Sequence, residues 1–251
     1  ALVSRPTFDP NSYGTAREEW RRNRAVSDFY EPGSTFKVMT TAIALEAGAV
    51  RPDDTIWCEN GSIVVARHRF DEDRKPFGNL TVTEVLAKSS NVGAIKTGLM
   101  VGKPGLYNQI VDFGFGRPTG IDLPGESPGI LRPANRWPKR ATAYISFGQN
   151  LSVTSLQMAT AFAAVANGGT LLAPYVVRGV GAVGDLDTRG HRPQRVGSPV
   201  SASTARTLER LLESVVTDGT GQKAAIPGFR VAGKTGTAQK AAQSGGYAPN
   251  K

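Results

Sequence analysis

A buried helix is predicted near the start of the chain, where residues 34–48 read STFKVMTTAIALEAG. Four apolar side chains recur near the helical period: Phe36, Met39, Ile43 and Leu45. Gly48 ends the pattern, and the crowding of apolar residues indicates a helix that is buried on most sides. Lys37 is unusual in such a helix, because burying an unpaired charge is costly. The segment therefore needs layers of structure around it and a use for the amine.

Ser34 and Lys37 are one helical turn apart, so both side chains lie on one face. A serine hydroxyl is a weak nucleophile until a base takes its proton. A lysine amine can be that base only when it is neutral, and burial and a nearby second cation both favour the neutral form. The pair is therefore either a nucleophile and its base, with another cation close by, or an N-capping serine followed by an ordinary helix.

Two later motifs offer the missing parts. Ser89 and Asn91 lie in SSN, at a predicted break between two helices within residues 81–102. The alternative there is a simple helix cap, since Ser and Asn favour caps. Residues 234–237 read KTGT on a predicted strand, and Lys234 would supply the second cation. A glycine inside a strand often marks the approach of a ligand, whereas a lysine on an edge strand can also serve only to prevent aggregation.

The remaining elements alternate between helix and strand. The predictions are a short strand in residues 1–11, a polar helical stretch in 15–33, irregular structure with short strands such as SIVVA in 51–80, a helix in 152–169 capped by Ser152 or Thr154, extended structure in 170–180, a surface loop in 181–199, an amphipathic helix in 201–219 and a strand in 229–240. The chain has 29 glycines and 16 prolines in 251 residues, so it turns often. This composition favours a mixed α+β enzyme over a helical bundle.

Cysteine and histidine usage excludes several kinds of site. Cys58 is the single cysteine, so no intrachain disulfide can form. His68 and His191 lack metal-ligand spacing and are predicted to be surface residues. No run approaches the roughly 20 apolar residues of a membrane span.

The net charge of +9 favours anionic partners. No zinc-finger or aromatic RNA-binding pattern accompanies it, so no nucleic-acid partner is expected. A basic polynucleotide-binding protein stays an alternative reading, which salt-dependent DNA binding would support.

Taken together and in this order, the three motifs resemble those of penicillin-binding proteins and serine β-lactamases. The chain resembles the transpeptidase domain of class B penicillin-binding proteins over nearly its whole length. The resemblance rests on YEPGSTFK, KSSNVG, GFGRPTGIDLPGE, FGQNLSVTSLQMATAFAAVANGG and VAGKTGTAQK, and is weakest in residues 51–75 and 181–199. It implies an α+β fold of the penicillin-binding protein and serine β-lactamase type, an antiparallel sheet flanked by helices.

The resemblance also implies a reaction, peptidoglycan D,D-transpeptidation at D-Ala-D-Ala. Ser34 would be the acylated nucleophile and Lys37 its base. Ser89 would relay a proton to the leaving nitrogen. Asn91 would bind a substrate amide and help hold Lys37, and Lys234 would keep Lys37 neutral.

Further implied roles concern the KTGT segment. Lys234, Thr235 and Thr237 would bind the terminal carboxylate, and Gly236 would leave room for the substrate backbone. The backbone N–H groups of Ser34 and Thr237 would form the oxyanion hole. β-Lactams would acylate Ser34, and neither a metal nor an organic cofactor is implied.

Against the family's pattern, residues 1–251 would be a partial transpeptidase domain. An N-terminal anchor and pedestal, the first sheet strand, and the last two strands with the C-terminal helix would be absent, leaving the sheet incomplete. We therefore expect the isolated fragment to be poorly stable or inactive. The parent protein is expected in the cell inner membrane, with the catalytic domain on the periplasmic or extracytoplasmic side.

Implied partners are peptidoglycan stem peptides on the lipid-linked precursor, β-lactam antibiotics, a glycosyltransferase, and membrane proteins of the division or elongation machinery. The alternatives are a serine β-lactamase, a β-lactam sensor domain, and a non-catalytic envelope scaffold. A class A β-lactamase would carry Asp in place of Ser90 and a catalytic glutamate on a loop. Glu126, in DLPGES, resembles the loop of the penicillin-binding family instead.

Overall fold

The structure is a computed structural model, and it describes residues 2–182, 185–187 and 193–236. The α-helices of this part of the chain are α1 (Glu18–Arg21), α2 (Arg24–Ser27), α3 (Lys37–Glu46), α4 (Val82–Lys88), α5 (Asn91–Asp112), α6 (Ala141–Ser146), α7 (Ser155–Ala166) and α8 (Ala202–Thr217). Short 3-10 turns cover Pro10–Thr15, Gly33–Phe36, Glu59–Gly61, Ala134–Arg136 and Gln222–Ala224. No helix in the described ranges combines the length and apolarity needed to cross a bilayer.

The strands are short and pair antiparallel. They are β1 (Phe29–Tyr30), β2 (Thr55–Trp57), β3 (Ser62–Val65), β4 (His68–Asp71), β5 (Asn79–Thr81), β6 (Val153–Thr154), β7 (Leu171–Leu172), β8 (Val180–Ala182), β9 (Asp185–Asp187) and β10 (Arg195–Gly197). The pairs are β1–β6, β2–β5, β3–β4, β7–β10 and β8–β9. The mixed α+β class with antiparallel strands is confirmed, and within the described residues the strands form separate two-stranded pairs.

The predicted buried helix is confirmed in residues 34–48. A 3-10 turn carries Ser34, and α3 begins at Lys37. The side chains of α3 are buried from Lys37 through Ala44. The helix packs against α5 and α8. Burial of each large apolar side chain between these helices stabilises the fold by about 2 kcal/mol.

The predicted break at SSN is confirmed, because α4 ends at Lys88 and α5 begins at Asn91. Ser89 has φ 61°, a left-handed conformation that non-glycine residues adopt rarely. Ser90 then caps α5, since its hydroxyl accepts a hydrogen bond from Gly93 N at 2.9 Å. The chain thus reverses direction between two helices within two residues.

Helices α7 and α8 begin at hydroxyl caps, as predicted. Thr154, and not Ser152, caps α7 in a capping box with Gln157. Ser201 caps α8, whose apolar side packs on α3 and α4. Beyond α8 the backbone lies against α4, where Thr220 N donates to Ala87 O at 3.1 Å.

Three sequence predictions differ from the structure. Residues 2–9 of the predicted strand 1–11 form no strand, and a 3-10 turn begins at Pro10; Ala1 lies outside the described residues. Pro6 and Pro10 each lack a backbone donor, which weakens any ladder in this segment.

Residues 229–236 of the second segment, predicted as a strand, also form none, and 237–240 lie outside the described residues. A strand is defined by hydrogen bonds to a neighbouring strand. Here Gly233 N donates to Leu212 O of α8 instead.

The third difference is the loop predicted over residues 181–199. This segment contains the end of β8 together with β9 and β10, while residues 183–184 and 188–192 lie outside the described part. Each strand is only three residues long and pairs locally or with β7. The sequence predicted a loop because the segment is rich in Gly, Pro and Arg, and strands this short leave no clear alternating pattern.

Candidate active site

Ser34 lies on the wall of a cavity of about 340 Å³. Its turn is held by a close backbone contact, in which Gly33 N donates to Gly148 O at 2.9 Å. Gly148 has φ +87°, and a Cβ there would lie 2.1 Å from Gly33 O. The glycine of FGQN is therefore required for the turn that presents Ser34. The Ser34 residue is 8% exposed.

Lys37 reaches the break between α4 and α5. Its Nζ lies 2.6 Å from Ser89 O, 2.7 Å from Asn91 Oδ1 and 3.2 Å from Ser89 Oγ. The first two atoms can only accept, so Lys37 donates to both. The third position, toward the Ser89 hydroxyl, is the one that can carry either a proton or the lone pair of the neutral amine.

The environment of Lys37 favours the neutral amine. The residue is 1% exposed. Burial, and then the nearby Lys234 cation, lower the pKa of Lys37 from 10.5 to about 7, although the carboxylates of Asp73 and Glu72 raise it in part. A substantial fraction of Lys37 is therefore neutral near pH 7.

Asn91 is oriented by its own contacts. Its Nδ2 donates to Asp71 O at 3.1 Å and to Asp73 Oδ1 at 3.0 Å. Because both partners are acceptors, the amide oxygen must face Lys37. The structure thus brings Asn91 to Lys37 as predicted, with both amide hydrogens already bonded to protein acceptors.

Lys234 meets Lys37 at the Ser89 hydroxyl. Lys234 Nζ donates to Ser89 Oγ at 2.9 Å and to Thr235 O at 2.9 Å. Burial, followed by the Arg74 guanidinium, lowers the pKa of Lys234 to about 8. Residues from three distant parts of the sequence are therefore joined at one hydroxyl.

The KTGT segment lies beside the Ser34 turn. Thr235 lines the same cavity as Ser34, and its hydroxyl is 2.6 Å from that of Thr220. A Cβ on Gly236 would lie 2.7 Å from the Thr35 methyl group, so a neighbouring side chain already limits this position. Thr237 lies outside the described residues.

The predicted role of Lys37 as the base of Ser34 has no direct hydrogen bond behind it in the described residues. Ser34 Oγ makes no hydrogen bond to Lys37 Nζ among them, whereas Lys37 has three neighbouring oxygens elsewhere. Ser34 lines the cavity together with Ser89 and Asn91, the two residues that Lys37 Nζ contacts. Lys37 can therefore act as the base of Ser34 only if the third position on its nitrogen turns from Ser89 toward Ser34.

Sequence reasoning missed a second set of cavity residues. These are Glu31, Glu72, Asp73, Arg74, Phe77, Lys88, Phe147, Gln149 and Thr220. The charge cluster DEDRK in residues 71–75 is a visible signal, but a charge run usually indicates a solvated surface. Its placement against α5 depends on the β3–β4 hairpin, of which the sequence predicted the strand in SIVVA but not its pairing with β4.

The predictions for the histidines and cysteine have mixed outcomes. His68, predicted at the surface, is only partly exposed, and its Nε2 lies 2.8 Å from the Tyr144 hydroxyl. His191 lies outside the described residues. Cys58 is a buried free thiol. In the described part of the chain, no group of three or more His, Cys, Asp or Glu is placed to hold a metal ion.

The family model for the penicillin binding protein transpeptidase domain matches residues 1–251. The chain belongs to this transpeptidase family. The chain is 41% identical to stage V sporulation protein D of Bacillus subtilis over 99% of its own length and 39% of the relative. It is 35% identical to the peptidoglycan D,D-transpeptidase FtsI of Escherichia coli over 98% of its length and 40% of the relative. It thus spans about two fifths of the length of these curated relatives.

Solved structures of the penicillin-binding family share this fold. Penicillin-binding protein 3 of Mycobacterium tuberculosis, complexed with ampicillin, has a TM-score of 0.84 and 36% identity, and the match covers 90% of this chain and 51% of that one. The apo transpeptidase domain of penicillin-binding protein 3 from Burkholderia pseudomallei has a TM-score of 0.81 and 35% identity, with coverage of 92% and 66%. The expected penicillin-binding fold is therefore confirmed.

Proposed function

We propose that this protein is a peptidoglycan D,D-transpeptidase that works through an acyl-enzyme on Ser34. The observation that carries the proposal is the meeting of Lys37 and Lys234 on the Ser89 hydroxyl, beside a cavity that Ser34 lines. Membership of the transpeptidase family supports the same reaction. The substrate is the stem peptide of peptidoglycan, cleaved between its two terminal D-alanines.

Acylation begins when Ser34 Oγ attacks the carbonyl carbon of the penultimate D-alanine. Neutral Lys37 takes the hydroxyl proton, a C–O bond forms, and the carbonyl electron pair moves to the oxygen. The backbone N–H groups of Ser34 and Thr237 are proposed to stabilise that oxyanion, at roughly 3 kcal/mol per donor. The proton then moves from Lys37 through Ser89 to the nitrogen of the leaving D-alanine, and the C–N bond breaks.

Transfer reverses the same path. An amine of a neighbouring stem peptide attacks the Ser34 ester, forming the new peptide bond as the C–O bond breaks. The amine proton returns through Ser89 and Lys37 to Ser34 Oγ, which restores the hydroxyl. Asn91 keeps Lys37 in place during both steps through its 2.7 Å hydrogen bond.

The substrate carboxylate is proposed to bind where the cations are concentrated. Lys234 lies beside the cavity, and Thr235 and Arg74 line it. Thr237 is proposed to add a hydroxyl. Gly236 is proposed to leave space for the substrate backbone, although the Thr35 side chain is its closest neighbour in the structure.

β-Lactams are proposed to acylate Ser34 as substrate mimics, and a β-lactamase is the main alternative. A class A β-lactamase needs a loop glutamate that activates water. Glu126 instead accepts hydrogen bonds from Thr119 N at 2.7 Å and Gly120 N at 3.1 Å, and it does not line the cavity in the described residues. This favours a long-lived acyl-enzyme over rapid hydrolysis.

Labelling with a fluorescent penicillin tests the proposal. A stable adduct on the Ser34 peptide that is lost in Ser34→Ala supports an acyl-serine site. Release of D-alanine with transfer of the stem peptide to an added amine identifies transpeptidation, whereas fast turnover of a chromogenic cephalosporin identifies a β-lactamase. An unlabelled protein that still folds contradicts the proposal and favours a non-catalytic scaffold.

Membership of the transpeptidase family supports a proposal about the cellular setting. We infer that the protein is membrane-anchored with its catalytic part on the extracytoplasmic side. Proposed partners are a glycosyltransferase and the membrane proteins of the division or elongation machinery. Fractionation of the cells, followed by cross-linking of the full-length protein, tests both statements.

A further inference from the structure

Two consecutive carboxylates, Glu72 and Asp73, reach the Ser89–Asn91 turn from the segment after β4. We propose that they are positioning residues for the reaction: Glu72 fixes the first turn of α5, and Asp73 fixes the amide of Asn91. Together they hold the acceptors of Lys37 in place. The inference rests on the proposed function, whose residues it extends.

Glu72 completes the N-terminus of α5. The first N–H groups of a helix have no partner within the helix. Glu72 Oε2 accepts from Asn91 N at 2.6 Å, and Oε1 accepts from Val92 N at 3.2 Å. The Ser90 hydroxyl donates to Glu72 Oε1 and accepts from Gly93 N. Glu72 and Ser90 therefore pair the first three N–H groups of α5, where a negative charge also suits the helix dipole.

This cap controls the acceptors of Lys37. Ser89 immediately precedes the cap and is held in the left-handed region, a conformation that persists only when its surroundings enforce it. Its carbonyl oxygen and Asn91 Oδ1 are the two atoms to which Lys37 must donate. A looser α5 terminus would displace both atoms together.

Asp73 acts on the other side of the Asn91 amide. Its Oδ1 accepts one Nδ2 hydrogen at 3.0 Å, while Asp71 O accepts the other at 3.1 Å. Without this carboxylate the amide could rotate and present its NH₂ group to Lys37. Such a rotation would replace an acceptor of the amine by a second donor.

The two carboxylates also oppose the other charges around Lys37. Lys234 is the nearby cation and lowers the Lys37 pKa, whereas Glu72 and Asp73 raise it. The Arg74 guanidinium lowers the pKa of Lys234. Glu31 and Lys88 are further charged residues of the cavity wall. Removing either positioning carboxylate should therefore lower the Lys37 pKa. Displacement of the Lys37 acceptors should in addition lower the acylation rate even when Lys37 is fully neutral, which a purely structural cap would not do.

The test compares Glu72→Gln and Asp73→Asn with the wild type. Glu59→Gln is the matched control, because Glu59 pairs with Lys96 farther along the same helix α5. The rate constant for penicillin acylation of Ser34 is measured from pH 5 to 10. The Lys37 pKa is read directly by NMR titration of protein labelled with ¹³C-lysine, and melting temperatures report stability.

For Glu72→Gln we expect the maximal acylation rate to fall about 100-fold, a loss that a displacement of about 1 Å in a reacting group can cause. The ascending limb of its pH–rate profile should move to lower pH, and its Lys37 pKa should be lower than in the wild type. Asp73→Asn keeps an acceptor oxygen, so its maximal rate should fall only about fivefold, with a similar shift of the limb. Glu59→Gln should leave the rate and the limb unchanged.

An unchanged rate and an unchanged Lys37 pKa in Glu72→Gln, with only a lower melting temperature, would overturn the proposal. If Glu72→Gln does not fold, Asp73→Asn decides, since it leaves the α5 cap intact. If the wild type is not acylated at Ser34, the proposed function fails. The NMR titration then judges the positioning role alone, which is wrong if neither variant lowers the Lys37 pKa.

Discussion

The Ser89 hydroxyl joins the two lysines of the site. Ser89 Oγ accepts a hydrogen bond from Lys234 Nζ at 2.9 Å and lies 3.2 Å from Lys37 Nζ. When Lys37 is neutral, the Ser89 hydroxyl can donate to its lone pair while still accepting from the Lys234 ammonium. The resulting chain of hydrogen bonds runs from Lys234 through Ser89 to Lys37. It exists only at pH values between the pKa of Lys37 and the pKa of Lys234.

The pH dependence of acylation should therefore be a narrow bell. The rate should rise as Lys37 loses its proton, with a midpoint near pH 7, and fall as Lys234 loses its proton near pH 8. The second-order rate constant for a penicillin, measured from pH 5 to 10, checks this. A flat profile over that range contradicts the assignment of Lys37 as the base.

Replacing Lys234 by glutamine should change both the ascending and the descending limb of the pH–rate profile for acylation. The Lys37 pKa should rise, because the cation that lowers it is gone, so the ascending limb moves to higher pH. The descending limb due to Lys234 should disappear, and the maximal rate should fall about 100-fold as the relay loses a donor. Lys223→Gln, at an exposed lysine, is the control with no expected effect. An ascending limb that stays near pH 7 would show that Lys234 does not act on Lys37.

Gly236 and Thr35 offer a test by paired substitutions. A Cβ on Gly236 would lie 2.7 Å from Thr35 Cγ2, so Gly236→Ala should push the KTGT segment away from the Ser34 turn. We expect a cost of about 1–3 kcal/mol, as is usual for overpacking, and slower acylation. Thr35→Ser removes the methyl group and keeps the hydroxyl that donates to Pro32 O.

The double variant should recover most of the lost rate and melting temperature, while Thr35→Ser alone should be close to wild type. A double variant as impaired as Gly236→Ala would place the steric conflict elsewhere. The substrate backbone, which is the partner inferred from the sequence, would then be the better explanation.

The sequence predicted those parts of the site that depend on local pattern. The apolar period of residues 34–48 predicted the buried helix and made Lys37 conspicuous, and the SSN break followed from the flanking helical patterns. The need for a second cation near Lys37 was also deduced from the chemistry alone. Lys234 meets that need in the structure.

The parts that sequence reasoning missed depend on contacts between distant segments. Glu72 and Asp73 lie in a polar run that looks solvated, and only the β3–β4 hairpin carries them to the N-terminus of α5. Thr220 reaches Thr235 because the end of α8 lies against α4. The strand predicted for the KTGT segment was wrong over residues 229–236, since strand formation depends on a pairing partner as well as on alternation.

The buried lysine should also leave a signature in stability. In the folded protein the pKa of Lys37 is lowered from 10.5 to about 7, so the unfolded chain binds its proton more tightly. This destabilises the fold by about 5 kcal/mol below pH 7, and the penalty is relieved as pH rises toward 10.5. Urea unfolding at pH 6, 8 and 9.5 should show the free energy of unfolding of wild type rising relative to Lys37→Met, by about 1.4 kcal/mol per pH unit above 7. A difference between the two proteins that stays constant with pH would mean that Lys37 remains charged in the folded state.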